Sequence, residues 1–286
     1  MTLFNRPIIS TYLLLSTCLT LLATLFFEDG SAQGNLLVTP VRVIFDGQKR
    51  SEDLNIANLG KDSARYVISL IEIRMKRDGT FEEINEPDSG QAFASKYLRF
   101  FPHSVVLAPN EAQIIKLQVT NTADLKPGEF RSHLYFRAVP DENYPLTTKN
   151  ENDSTGIQVK LVPIFGISIP VIIRSGETRG SVRLSDITVK ADEKQGPFVS
   201  MLFNRFGNAS VYGDIEVSYI SPQGRTTQVA LANGVAVYTP NLQRLIRIPL
   251  TNKNDINYHV GKLKITYTAK TSKESEQLAF AEVPLK

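Results

Sequence analysis

Cysteine is almost missing from this chain of 286 residues: Cys18 is the only one. It sits inside an apolar N-terminal run. Leu15-Ser16-Thr17-Cys18 makes a poor lipoprotein site, since Thr17 fits badly before the cysteine and the apolar run continues past it. Beyond that run there is no thiol, no disulfide and no thiolate metal site, so stability in an oxidising compartment must come from core packing. Histidine is nearly as scarce, and none of His103, His133 and His259 has a neighbouring ligand at metal-site spacing. The sequence also lacks a Gly-X-Ser-X-Gly elbow and a phosphate-cradling glycine loop. Gly207 in RFGN and Gly224 in PQGR read as turn glycines. These absences argue against an enzyme, and no catalytic residue, metal ligand or cofactor is expected. An excess of one charge is absent too: 32 basic residues face 29 acidic ones, a net charge of +3. So small and dispersed a charge does not point to nucleic acid. The acidic group Glu82, Glu83 and Glu86 reads as a solvated loop beside a hairpin.

What the chain does contain begins with an export address. Arg6 supplies a short basic region, Ile8 to Phe27 is an almost unbroken apolar run, and Gly30-Ser31-Ala32 offers the small residues a signal peptidase reads. Cleavage is expected after Ala32, making residues 1–32 a signal peptide. Left uncut, the run is long enough to anchor the chain in a membrane. Losing Arg6, Glu28 and Asp29 with that segment removes one base and two acids, moving the net charge from +3 to +4. At 42% hydrophobic and 21% charged residues, the remainder is globular in composition, with length for two domains.

From Asn35 onward the sequence reads as strands. Val, Ile, Thr, Tyr and Phe alternate with polar residues over short stretches separated by turn formers. Strands are expected at Leu54–Ala57, Tyr66–Met75, Val105–Leu107, Ile114–Val119 and Leu134–Val139, and again at Val182–Val189, Val199–Phe203, Ile215–Tyr219, Leu245–Leu250 and Lys262–Thr268. Asp78-Gly79 marks a hairpin between Met75 and Phe81. Many short strands without a long amphipathic helix predict an all-β protein built of β-sandwiches. The polar stretch Asp141–Gly156 reads as a long loop, and Arg174–Gly180 as the linker between domains spanning 33–174 and 175–286. Between them Ile157–Ile173 is the most hydrophobic segment. Its odd positions Ile157, Val159, Leu161, Pro163, Phe165, Ile167 and Ile169 are all apolar. Such a row is ordinarily sandwich core, but Pro163 and the preceding loop favour an edge strand, which invites a partner or self-association.

One charge stands out. In Leu36–Phe45, Arg42 shares its alternation with Leu36, Val38 and Ile44. A guanidinium stays charged, so on a half-buried strand it either reaches water or meets a carboxylate.

The ordered pieces resemble the periplasmic chaperones of the chaperone–usher pilus pathway, over Leu36 to about Tyr267. Thr39–Gly47 (TPVRVIFDG) looks like the family's opening strand. Leu54–Asn58 with Ala64–Val67 looks like its strand, asparagine turn and return strand. Phe101-Pro102, Val105–Pro109 and Ile114–Leu117 resemble its proline-containing strand pair, and Glu129 with Leu134–Pro140 resembles the segment before its variable loop. The resemblance implies two immunoglobulin-like domains set as a boomerang, located in the periplasm, with fimbrial subunits and an outer-membrane usher as partners. It further implies that an edge strand carrying Ile157, Val159, Leu161 and Phe165 enters a subunit groove. Arg42 would anchor the subunit's C-terminal carboxylate. Glu129 and Arg174 would form an ion pair between the domains. The family's second anchor, a lysine four residues before the position of Arg174, is here Pro170, and neither Lys116 nor Lys160 occupies the matching place. The third acidic member of the interdomain network has no clear match around Asn257-Tyr258-His259. The other class of function open to this sequence is a structural or adhesive cell-envelope protein tethered by residues 8–27. Intact mass and N-terminal sequencing of the exported chain are expected to give a start at Gln33 and no reactive thiol; a product retaining Cys18 would mark a tethered chain.

Overall fold

The computed structural model describes residues 36–140, 164–192, 196–252, 256–270 and 275–285. The first unit consists of β1 (Leu36–Thr39), β2 (Val43–Phe45), β3 (Ser51–Asn58), β4 (Ala64–Ile71), β5 (Ile73–Met75), β6 (Phe81–Glu83), β7 (Leu98–Phe101), β8 (Ser104–Leu107), β9 (Ala112–Val119), β10 (Gly128–Val139) and β11 (Gly166–Ser175). A four-stranded sheet in the order β1-β3-β9-β7 faces a five-stranded sheet in the order β2-β11-β10-β4-β8. With the initial strand (β1, β2) and the later pair β7, β8 each divided between the sheets, this is the ABED/GFC order of an immunoglobulin-like sandwich. The second unit contains β12 (Gly180–Asp192), β13 (Gly196–Gly207), β14 (Val211–Ile220), β15 (Thr226–Val237), β16 (Gln243–Pro249), β17 (Lys262–Lys270) and β18 (Ser275–Pro284). Here β12-β13-β16 packs on β15-β14-β17-β18, a second sandwich of the same class.

Alternation explains both cores. Leu54 and Ile56 on β3, Ile115 and Leu117 on β9, and Leu134 and Phe136 on β10 project inward and are buried. In the second unit Val199, Met201 and Phe203 meet Ile215, Val217, Leu263, Ile265 and Tyr267. Each such side chain contributes roughly 1.5–3 kcal/mol on leaving water. The expected Asp78-Gly79 hairpin joins β5 to β6, with Met75 opposite Phe81, and Gly79 takes φ +88.

The opening segment departs from its expected form. Leu36–Phe45 is not one strand: it breaks at Pro40–Arg42, after which the chain crosses from the first sheet to the second. Crossing shifts the alternation by one residue, so Val43 and Phe45 are buried while Ile44 is exposed. Arg42 therefore shares a side with Ile44 but not with the buried Leu36 and Val38.

The edge expected near Ile157–Phe165 is partly in view. Ile157, Val159, Leu161 and Pro163 lie outside the described residues. Beyond them β11 pairs with β10 along its whole length, but with β2 only at Val171–Ile173. Among the described residues Gly166–Pro170 therefore has one free side. Ile164 and Phe165, which lead into it, are exposed.

Gly207 closes β13 just before the loop that reaches the first unit. It holds φ +90, and a Cβ there would run into the Arg179 carbonyl oxygen. Gly207→Ala is expected to lower the unfolding free energy by about 2 kcal/mol or more in urea titration.

Candidate functional site

The outward face of the five-stranded sheet turns toward the second unit. Because β10 buries its even positions 130, 134, 136 and 138 in the core, its odd positions lie on that outer face. Register then sets the rows: Glu129 lies opposite Arg174, Arg131 opposite Ile172, and His133 opposite Pro170. On the far side of β11, Ile44 pairs with Ile172. Extending that parallel register back by two residues, one beyond the first pair Val43–Val171, puts Arg42 beside Pro170.

Glu129 joins the two units. Its side chain is wholly buried. It receives Arg174 Nε at 3.1 Å, the Ser210 backbone N–H at 3.0 Å, the Ser210 hydroxyl, and Thr239 Oγ1 at 3.2 Å. Arg174 adds a bond from Nη2 to the Ser210 carbonyl at 3.1 Å. The structure thus pairs Glu129 with Arg174, but within the first unit, on neighbouring strands; the bonds across the boundary run to Ser210 and Thr239. The polar partners from the second unit are a serine and a threonine, which supply hydroxyls where an acid was sought near His259.

A second connection runs through the β5–β6 hairpin. Asn241 Nδ2 donates to the Met75 carbonyl at 2.6 Å, and the Leu245 N–H donates to the Arg77 carbonyl at 2.7 Å. Met75, Ile172, Ala236 and Tyr238 form a small apolar cluster between the units. The loop carrying Tyr238 to Asn241 is held from behind by Arg205, which donates to the carbonyls of Asn241, Gly207 and Ala209.

Between these connections lies a basic, aromatic cluster. Arg42 is half-buried. Its guanidinium lies 4.6 Å from the Tyr212 ring centroid and 5.3 Å from that of Tyr238, and Nη1 donates to Tyr238 Oη at 3.1 Å. Its Nε and Nη2 are buried without a hydrogen-bond partner among the described residues. Arg131, buried, stacks 4.4 Å from the Tyr238 centroid. Its Nη2 donates to the Ile73 carbonyl at 3.3 Å and grazes that of Thr239 at 3.5 Å. Its Nε and Nη1 have no partner among the described residues. Neither Arg42 nor Arg131 is ion-paired with a described carboxylate. The cluster therefore carries two positive charges and several donors unpaired among the described residues, which suits an anion. The sequence alone points to Arg42 but not to Arg131, Tyr212 or Tyr238. The available signal was an arginine at an odd position of β10, the phase of Glu129.

His133 completes the wall. It packs edge-on against Phe81 and Tyr238, with centroid distances of 5.9 and 6.2 Å. Burial, reinforced by the positive charges of Arg131 and Arg42, pushes its pKa down to about 3. Lys116 is elsewhere, 4.0 Å from Asp53 on the outer side of the other sheet. Lys160 lies outside the described residues. Among the described residues there is no cluster of three or more metal-ligating side chains, and no helix is long and apolar enough to cross a membrane.

No family model and no curated protein matches the chain. Solved structures with some likeness include the YadV chaperone (TM-score 0.45, 12% identity, covering 87% of this chain and 100% of that one). The Pseudomonas aeruginosa CupB2 chaperone gives the same figures: TM-score 0.45, 12% identity, 87% and 100%. The E. coli chaperone DraB gives TM-score 0.40 and 11% identity over 88% of this chain and 96% of that one. Identity at this level assigns no residue a role.

His133 gives stability a pH dependence of known sign. Its ordinary value is 6.5 and its folded value about 3, so between them the unfolded chain binds one more proton. Stability contributed this way is present above the ordinary value and is lost as pH falls through the window. In His133→Phe, urea unfolding is expected to show a pH slope shallower by about 1.4 kcal/mol per pH unit within that window; an unchanged slope would mean the folded imidazole titrates normally.

Proposed function

We propose that this chain is a non-enzymatic periplasmic chaperone. It holds fimbrial subunits by pairing them along the free edge of β11 and anchoring their C-terminal carboxylate on Arg42. The observation that carries the reading is Arg42 itself: a half-buried guanidinium clamped by two tyrosines, with two buried donor nitrogens unpaired among the described residues. A charge in such a place is costly without a counter-ion.

The free edge supports the same reading. An added strand would lie beside Ile164–Ser168 and meet the start of β2, which runs parallel to β11. If the added strand is also parallel, its C-terminus points at Arg42. If it were antiparallel, an N-terminal ammonium would face the guanidinium. Charge thus selects the parallel arrangement, and the carboxylate sets where the added strand stops. Pro170 stands at the seam, before the first β2 pair at Val171, where the ladder to β2 has not begun.

Ile164 and Phe165 are exposed apolar groups leading into that edge. Ile157, Val159 and Leu161, outside the described residues, share the odd phase of Phe165 in the sequence. Burying such a row in a subunit groove returns roughly 25 cal/mol per Å² of apolar area. The bare row would otherwise draw the free chain into self-association.

In this reading residues 1–32 direct export, 33–174 form the subunit-binding domain, and 175–286 form the second arm of a boomerang. The Glu129–Arg174 pair fixes the angle and does not touch the subunit. An outer-membrane usher is the acceptor to which the subunit passes. Co-expression with a fimbrial subunit is expected to yield a soluble equimolar complex. Arg42→Ala should lose about 2–5 kcal/mol of binding by leaving the carboxylate unpaired. Equal protection of the subunit by both forms would remove Arg42 from the site, and failure of the unsubstituted chain to bind any subunit would remove the chaperone reading altogether.

A further inference from the structure

We infer that the Tyr238 hydroxyl is the second arm of the carboxylate site, donating its O–H to the anion that Arg42 holds. This rests on the proposed role of Arg42 as the carboxylate anchor.

The argument starts from which atom donates to which. Arg42 Nη1 donates to Tyr238 Oη at 3.1 Å, so that oxygen acts as acceptor toward the guanidinium. A phenol also has one proton to give, and Tyr238 Oη donates to no acceptor among the described residues. The side chain is buried with only 5% exposed, so an unused O–H is not simply handed to bulk water. An arriving carboxylate would thus find guanidinium N–H groups and a phenol O–H side by side.

The surroundings favour that proton as a donor. The Arg131 guanidinium, 4.4 Å from the Tyr238 ring centroid, withdraws electron density through the ring face and strengthens the O–H toward an anion. Burial raises the phenol's pKa, against the opposing pull of Arg42 and Arg131, so the hydroxyl keeps its proton at neutral pH. On β11 the candidate place for a second arm is Pro170, which has neither charge nor N–H. The second arm is therefore supplied from the other domain and closes across the boundary. Thr239, the next residue, donates to Glu129 at 3.2 Å, so the same buried carboxylate that joins the domains also positions this hydroxyl.

The test uses an alternating valine–threonine heptapeptide ending in phenylalanine, prepared as the free acid and as the C-terminal amide, titrated into the exported chain. The readout is the ratio of acid to amide affinity. Tyr238→Phe removes one oxygen and leaves the ring; it is expected to lower the ratio roughly tenfold while amide affinity holds, the size of one charge-assisted hydrogen bond. Replacing Tyr238 with 3-fluorotyrosine separates donor from acceptor, because that hydroxyl donates more strongly and accepts more weakly. A raised ratio supports donation to the carboxylate; a lowered one would mean Tyr238 only positions Arg42, and overturns the inference. A large ratio unchanged in Tyr238→Phe also overturns it while leaving the Arg42 anchor standing. Equal acid and amide binding in the unsubstituted chain would instead defeat the anchor itself.

Discussion

Glu129 is the constraint on which the cluster around Arg42 and Tyr238 depends. Its side chain is wholly buried, and its two oxygens collect four donors: one guanidinium nitrogen of its own domain, and a backbone amide and two hydroxyls of the other. A buried carboxylate stripped of such partners costs several kcal/mol, so the two domains are held to the few relative positions in which all four donors still reach it. That requirement fixes Ser210 and Thr239 against β10, and Thr239 carries Tyr238 with it. The aromatic wall beside Arg42 follows from an interaction made several residues away.

The same arrangement leaves charge unbalanced on purpose-sized ground. Glu129 is fully used by Arg174 and the two hydroxyls. It pairs with Arg174 and also acts at a distance on Arg131, but it is ion-paired with neither Arg131 nor Arg42, which share Tyr238. Glu72, the other acid near Arg131, is itself partly buried, and burial raises its pKa. His133 sits on the same wall, and burial, reinforced by both arginines, keeps it neutral over the ordinary pH range. Aromatic faces lower the cost of holding cations here without spending their hydrogen bonds. Stacking leaves the N–H groups in the guanidinium plane free for a ligand, whereas a resident carboxylate would have consumed them.

Much of the fold was legible because alternation is a local property. Each strand expected from a run such as Tyr66–Met75 or Lys262–Thr268 is present, with β4 and β5 separated only at Glu72. What escaped were strands whose pattern is weak for physical reasons. β15 carries Gly234 at φ +69 and three alanines, and β18 is a mostly exposed edge strand with little apolar contrast. The candidate site was legible only where one strand announced it. Arg42, Glu129 and Arg174 stand against apolar backgrounds in their own segments. Tyr212, Tyr238 and Ser210 look like any strand or turn residue until the domains meet, and no local pattern encodes that meeting. Arg131 lay between these cases, on a strand whose apolar residues concealed a second, outward-facing row.

The break in the opening strand shows why a charge is tolerated at position 42. Had Leu36 to Phe45 run as one strand, Arg42 would have shared the buried face of Leu36 and Val38, with no carboxylate of that core to meet it. Pro40 and Val41 instead carry the chain from one sheet to the other, and the alternation slips by one residue. Val43 and Phe45 turn inward, while Arg42 turns outward at the corner, just before the ladder to β11 begins. A residue at such a corner has no cross-strand neighbour on the side where β11 is bare. The corner therefore places a cation at the end of an open edge, where an added strand pointing along β11 would end. The proposed carboxylate anchor would need that placement as much as the charge, and an arginine one residue earlier or later along this segment would face the other side.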